Sequence, residues 1–373
     1  MVATSKDFSF QEYYSGNLDW LEKRTIFLTV HGSRSYGTAL PESDYDFKGI
    51  AIPPKDYYFG LLDKFEQADK FNGVDCTIYE LRKFCALATN CNPNIIEILF
   101  TDPDMFVIKH PIMDKLIQNR NLFLSKKARW SFAGYAYAQL KRINSHYKWL
   151  KNPPTHKPTR KEFDLPEHTS IPRDQLKAAE ALIVKKMDQW NFNFDVIEDR
   201  DKRLELQAKI HNTLYEIAGA SMFLENEKLH KHAAVHTALS QNIIEIVVKE
   251  KKYKSKMNEW TAYNKWKEER NPERAALEAK FGFDSKHAMH LIRLLRVCEE
   301  VLTTGEVKVK RPDAAELLEI RNGAWSYEQL IEWSTVQDKK IQELYDTTDV
   351  LPYEPNKKAI NKLCMEMMEE YHE

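Results

Sequence analysis

A chain of 373 residues, 43% hydrophobic and with a formal net charge of −1, can fill a large core, and it carries no chain-wide basic coat. Any nucleic-acid contact must therefore come from a local surface. Five scattered cysteines without a Cys-x-x-Cys pair fit a reducing compartment better than a disulfide or zinc framework. Lys6 and Asp7 interrupt the N-terminus before any run of signal-peptide length, and no long uncharged apolar segment follows. A soluble, cytoplasmic protein with no membrane segment is expected.

In chain order, the first ~100 residues alternate strand-like runs with turns. "RTIFLTVHG" and "YDFKGIAIPP" are the clearest, and the proline pair ends the second. Beyond Asp104 the period becomes helical, in "PIMDKLIQNRNLFLSKKARWSFAGYAYAQLKRI" and in "SKHAMHLIRLLRVCEEVLTTG", which Gly305 closes. The expected class is α+β, with an α/β domain over 1–104 and a mostly helical region over 105–373. Recurrent prolines make 151–174 a basic loop. "VKEKKYKSKMNEWTAYNKWKEERNPER" predicts an exposed amphipathic helix in which Trp260, Tyr263 and Trp266 recur every three residues. That recurrence favours core packing over base stacking. No internal repeat is found.

The segment Phe27 to Ile52, "FLTVHGSRSYGTALPESDYDFKGIAI", poses the functional question. A calcium loop starting at Asp44 would put Lys48 and Lys55 at ligand positions, which excludes it. The glycines are not followed by Gly-Lys-Ser/Thr, which excludes a Walker loop. A metal site survives. Strand side chains at i and i+2 share a face, so Asp44 and Asp46 would aim both carboxylates at one or two Mg²⁺ ions. Gly32 and Ser33 follow an apolar run and predict a tight turn into a short helix whose N–H groups, with the Ser33 hydroxyl, hold a triphosphate. Gly37 would turn that helix back toward the aspartates. Metal and NTP in one site describe an in-line phosphoryl displacement with pyrophosphate leaving.

"GSRSYGTALPESDYDFKGI" resembles the Gly-Ser and Asp-x-Asp signature of the polymerase-beta-like nucleotidyltransferase superfamily, and more closely the RNA-repair-associated (RNA-ligase-associated) nucleotidyltransferase family. "VDCTIYELRKFCALATNCNPNIIEILF", "FAGYAYAQLKRI" and "FDSKHAMHLIRLLRVCEEVLTTGEVKVKRPDAAELLEIRNG" resemble further blocks of that family, whereas about 151–280 matches none. The resemblance implies NMP transfer from an NTP to an acceptor hydroxyl, an RNA end first, with Mg²⁺ or Mn²⁺ as cofactor and an RNA ligase or repair partner. It makes Asp44 and Asp46 metal ligands and places Gly32 and Ser33 at the phosphates. It also implies a third carboxylate from a later strand, as ligand or general base. Asp75, which opens an alternating run, is the choice; Asp63, Asp69 and Glu80 are its rivals.

The helix containing "KHAMHLIRLLR" would line up Lys286, His290, Arg293 and Arg296, and the resemblance makes His290 and Arg293 the nucleotide contacts. Lys141 and Arg142 are candidate nucleotide or RNA contacts at a helix end, and Arg321 is left unassigned. The pair His287 and His290, and the group His230, His232 and His236, lack further ligands for zinc. The alternatives are a non-catalytic nucleotide- or RNA-binding module and a nucleotidyltransferase acting on a protein or small molecule, because a catalytic site does not encode its acceptor.

Overall fold

The computed structural model describes residues 7–61, 64–169, 171–189 and 226–373. It is a mixed α+β fold around a five-stranded sheet, with a helical C-terminal part. Two compact units emerge: 1–143 with 283–373, and 144–282.

The first unit holds the sheet, in the order β3-β4-β2-β1-β5. Here β1 is Thr25–His31, β2 Asp46–Ala51, β3 Gln67–Ala68, β4 Cys76–Glu80 and β5 Phe106–Lys109. β1 pairs antiparallel with β2, and β2 pairs parallel with β4. Antiparallel pairing sets His31 across from Asp46 and Thr29 across from Lys48, and parallel pairing sets Lys48 beside Thr77. Because side chains alternate, these polar residues share one face. The other face carries Leu28, Val30, Phe47, Cys76 and Ile78, buried under Phe10, Leu21 and Phe71.

The boundary expected at 104 falls inside this unit. β5 lies beyond it and pairs with β1, because the inner strand needs a hydrogen-bonding partner on its free side. The apolar helix Ser285–Thr304 also belongs to this unit, capped by Asp284 and stopped by Gly305 at φ 71. The helical run expected from 111 is not continuous. It divides into Met113–Gln118, a 3-10 turn at Arg120–Phe123 and the helix Ala128–Lys151.

In the second unit, the helices Arg173–Gln189, Asn226–Val235 and Gln241–Glu269 bury a small cluster that includes Ile183, Ala233 and Val247. Half-buried Trp266 and Tyr263 pack against Trp149, tilted at 5.4 Å and edge-on at 5.8 Å between ring centroids, so their spacing marks a packed face. Between the helix ending at Lys151 and the helix starting at Arg173, the described part of the proline-rich stretch is irregular apart from a 3-10 turn at Arg160–Phe163, fixed by a Thr159/Glu162 capping box. Ser170, within that stretch, and the His232 side chain lie outside the described residues. Among the described residues no helix is long and apolar enough to cross a membrane.

Candidate active site

The site grows from the turn after β1. Gly32 takes φ 71 and ψ −147, a region closed to residues with a Cβ, and caps the four-residue helix Ser33–Tyr36. Gly37 ends that helix in the left-handed region at φ 75. The reason for Gly32 is also spatial: a Cβ there would lie 2.3 Å from Oδ2 of Asp46. Both glycines therefore do what their positions predict. The expected N–H cradle is weaker. Four residues build little macrodipole, and the Gly32 N–H is donated to Nδ1 of His31 at 2.7 Å. The half-buried Ser33 hydroxyl makes no hydrogen bond among the described residues.

Asp46 opens β2, and the register that pairs Phe47 with Cys76 brings Asp75, the residue before β4, alongside it. The Phe47 N–H donates to the Asp75 carbonyl at 2.8 Å, which locks that register. Asp44 lies ahead of β2, so strand alternation does not position it, contrary to expectation. Arg34 does so instead: it donates to the Asp44 carbonyl at 3.3 Å and to the Ser43 carbonyl, and its guanidinium lies 3.8 Å from the Tyr45 ring centroid.

Burial, followed by the charge of Asp75, pushes the Asp46 carboxyl up to about 6. Lys48 and Lys286 oppose that rise, and Asp44 adds to it. Asp75 and Asp44 thus both act on the Asp46 carboxyl. Lys48 Nζ donates to Asp75 Oδ1 at 2.8 Å and to Thr77 Oγ1 at 3.1 Å, drawing Asp75 along the strand. Asp46 beside the side-chain-free Gly32, with Asp75 and Asp44 near it, offers hard oxygen donors of the kind a divalent cation requires.

The rivals of Asp75 fare differently. Glu80 ends β4, five residues and roughly 16 Å from Asp75. It is buried as a helix cap, accepting from the Lys83 N–H at 2.9 Å and from the Tyr58 hydroxyl at 2.9 Å. Asp69 is exposed and accepts from Gln67. Asp63 lies outside the described residues.

Arg293 requires a correction. It is 4% exposed, bonded to Oε1 of Glu97 and stacked 3.7 Å from the Tyr36 ring centroid, so its guanidinium serves the interior and is not offered to a phosphate. Tyr36 donates to Oε2 of Glu97 at 2.6 Å. His31 lies 4.0 Å from the same oxygen, and burial lowers its imidazole to about 4, so this contact is not an ion pair at neutral pH. Its Nε2 donates to the Asn94 carbonyl at 3.2 Å, the tautomer that leaves Nδ1 to accept from Gly32. On the Ser285–Thr304 helix, Lys286 is the residue whose charge acts on Asp46. His290 is half-buried on that helix, while Lys141 and Arg142 are exposed. The Arg321 carbonyl accepts from Ser285 at 2.6 Å, which is a helix-end role.

Three participants escaped the sequence reading. Lys48 was legible as the i+2 neighbour of Asp46 on one strand face. Arg34 and Glu97 gave no local signal.

Residues 11–157 match the RNA repair pathway DNA polymerase beta family. The family resemblance therefore holds for the stretch with Gly32, Ser33, Asp44, Asp46, Asp75 and Lys141; His290 and Arg293 lie outside it. The chain is 33% identical over 128 residues to the uncharacterized 38.9 kDa protein of the nrdC-mobD intergenic region of Enterobacteria phage T4, covering 31% of this chain and 38% of that protein. It is 30% identical over 81 residues to the uncharacterized protein YcgL of Bacillus subtilis (strain 168), covering 21% and 31% respectively. The chain thus spans about a third of the length of these curated relatives. No solved structure matches.

Proposed function

We propose that this chain is a polymerase-beta-like nucleotidyltransferase that moves NMP from an NTP to an acceptor hydroxyl, an RNA end, and releases pyrophosphate. The observation that carries the proposal is the parallel β2/β4 register, which sets Asp75 beside Asp46 on the face where Gly32 leaves room. The family match over the same residues supports it.

Asp44, Asp46 and Asp75 would hold Mg²⁺ or Mn²⁺. When bound, the ion supplies positive charge to the triphosphate and to the leaving pyrophosphate. Asp75, two-thirds exposed, is the carboxylate open to an incoming hydroxyl and would take its proton. The hydroxyl oxygen forms the new bond to the α-phosphorus, and the α–β phosphoanhydride bond breaks with its electrons leaving on pyrophosphate. Ser33 offers its hydroxyl to the phosphates, and Gly32 acts through conformation and space. Arg34 holds the Asp44 loop. Lys141 and His290 remain candidate nucleotide contacts.

Incubation with each labelled NTP, Mg²⁺ or Mn²⁺, and pooled RNA, protein and small-molecule acceptors tests this reading. Label is expected on RNA and is expected to vanish in Asp44→Ala. Metal-dependent NTP binding without pyrophosphate release from any acceptor would replace the enzyme with a binding module.

A further inference from the structure

A groove of about 640 Å³ lies on the first unit, lined by Phe100 to Pro103, Arg120 and Val307 to Pro312. Nothing in the proposed chemistry uses it. Burial alternates along one wall: Val307 and Val309 point inward, and Lys308 and Lys310 point outward. Both lysines therefore project on one side, with Cα atoms roughly 6–7 Å apart for extended backbone. Neither has an ion-pair partner among the described residues. Arg120 adds a third cation. Its hydrogen bond goes to the Leu99 carbonyl at 3.3 Å, and its guanidinium lies 4.6 Å from the Phe100 ring centroid.

Asp102 is the lone carboxylate among the lining residues. Arg311, in the same wall, is already neutralised by Glu300 at 2.7 Å and Asp313 at 2.8 Å and is not counted. The groove thus presents a pair of spaced ammonium groups and a flat guanidinium resting on an aromatic ring, above an apolar floor. Free phosphate would need only the charges. The combination of spaced charges with a planar cationic plate matches a strand whose bases are unstacked and whose backbone is exposed.

The groove also connects to the aspartates. The Arg311 N–H donates to the Tyr36 carbonyl at 3.0 Å, and Ala314 lies against Gly37. Tyr36 ends the short helix that begins beside Gly32 and Asp46, so the groove wall is one helix of roughly 6 Å from the carboxylates.

We propose that this groove binds the single-stranded RNA acceptor, with Lys308 and Lys310 on neighbouring phosphates and the Arg120 guanidinium under a base. The assignment of RNA as the bound strand rests on the acceptor reading above. Its position does not.

The test is fluorescence anisotropy of the full chain with a labelled 12-nucleotide single-stranded RNA between 50 and 200 mM salt. Lys308→Gln/Lys310→Gln should weaken binding about tenfold at low salt and flatten the log–log salt slope by about 1.4, two released counterions of about 0.7 each. Arg120→Lys keeps the charge and loses the plate, so it should weaken binding at least fivefold at an unchanged slope. The lysines are exposed, so thermal midpoints should not move. Unchanged affinity and slope in the double variant, or inorganic polyphosphate competing as well as the RNA, would overturn the groove. Asp44→Ala should retain RNA binding while losing transfer. If label transfer fails in the parent chain but the groove variants behave as stated, the groove stands and the reaction falls. If transfer to RNA occurs and the variants bind normally, the groove alone falls.

Discussion

Two groups of charged side chains flank the short helix Ser33–Tyr36 and obey opposite rules. At the start of β2 and β4, Asp75 and Asp44 act as like charges on Asp46, and Lys48 bonds Asp75. Behind the short helix, Glu97 meets Arg293 and Tyr36 in a buried cluster in which the charges are matched. Charges that serve the fold are paired, because an isolated buried ion is costly. A buried carboxyl raised by neighbouring carboxylates, as Asp46 is, marks a candidate site.

The contrast can be broken most forcefully at Glu97. Glu97→Ala strands the Arg293 guanidinium in the interior and should cost roughly 3–5 kcal/mol in urea unfolding. A loss below about 1 kcal/mol would mean that the cluster does not anchor the helix. At the other pole, Asp46→Asn should lower label transfer by about 10²–10³-fold, roughly 3–4 kcal/mol of barrier, with the fold retained. Retained transfer would remove Asp46 from the reaction.

Gly32→Ala joins both regions, since the added Cβ meets the Asp46 carboxylate at φ 71. Roughly 1–3 kcal/mol of stability should go, measured by thermal or chemical denaturation. A variant as stable as its parent would mean that the turn relaxes freely.

The smallest effect lies in pH dependence, where the two regions carry opposite signs. Asp46 is raised from 3.8 to about 6, so its contribution to stability is full below 3.8 and is lost as pH rises through 6. Its ionised form burdens the fold at neutral pH. Asp46→Asn should then be more stable than the parent at pH 7, by on the order of 1 kcal/mol after solvent screening. His31, lowered from 6.5 to about 4, contributes above 6.5 and loses that contribution as pH falls through 4. Between pH 6 and 4 the two oppose each other in the parent. Denaturation at pH 4, 5, 6 and 7 should therefore show Asp46→Asn losing stability on acidification more steeply than the parent. Parallel curves would mean that Asp46 does not feel its neighbours.

Much of the site was legible because its logic is local. Gly32 and Gly37 occupy backbone conformations that favour glycine, the apolar run before Gly32 is β1, and the proline pair stops β2 where expected. The reading of Arg293 failed for a physical reason: helical spacing gives a side chain's face but not its partner, and that partner, Glu97, lies 196 residues away. The same holds for the boundary at 104, where β5 follows the turn to complete a sheet that began at Thr25.

By itself, then, the sequence determined the turn, the strand that carries Asp46 and the family resemblance over residues 11–157, since each is written in short-range spacing. Only the tertiary structure decided that Asp75 stands beside Asp46, that Lys48 holds it, that Arg293 is spent on Glu97 and that Arg120, Lys308 and Lys310 line one groove. Those are register and packing relations between distant segments. A one-residue shift in register would reverse the facing of every side chain along a strand.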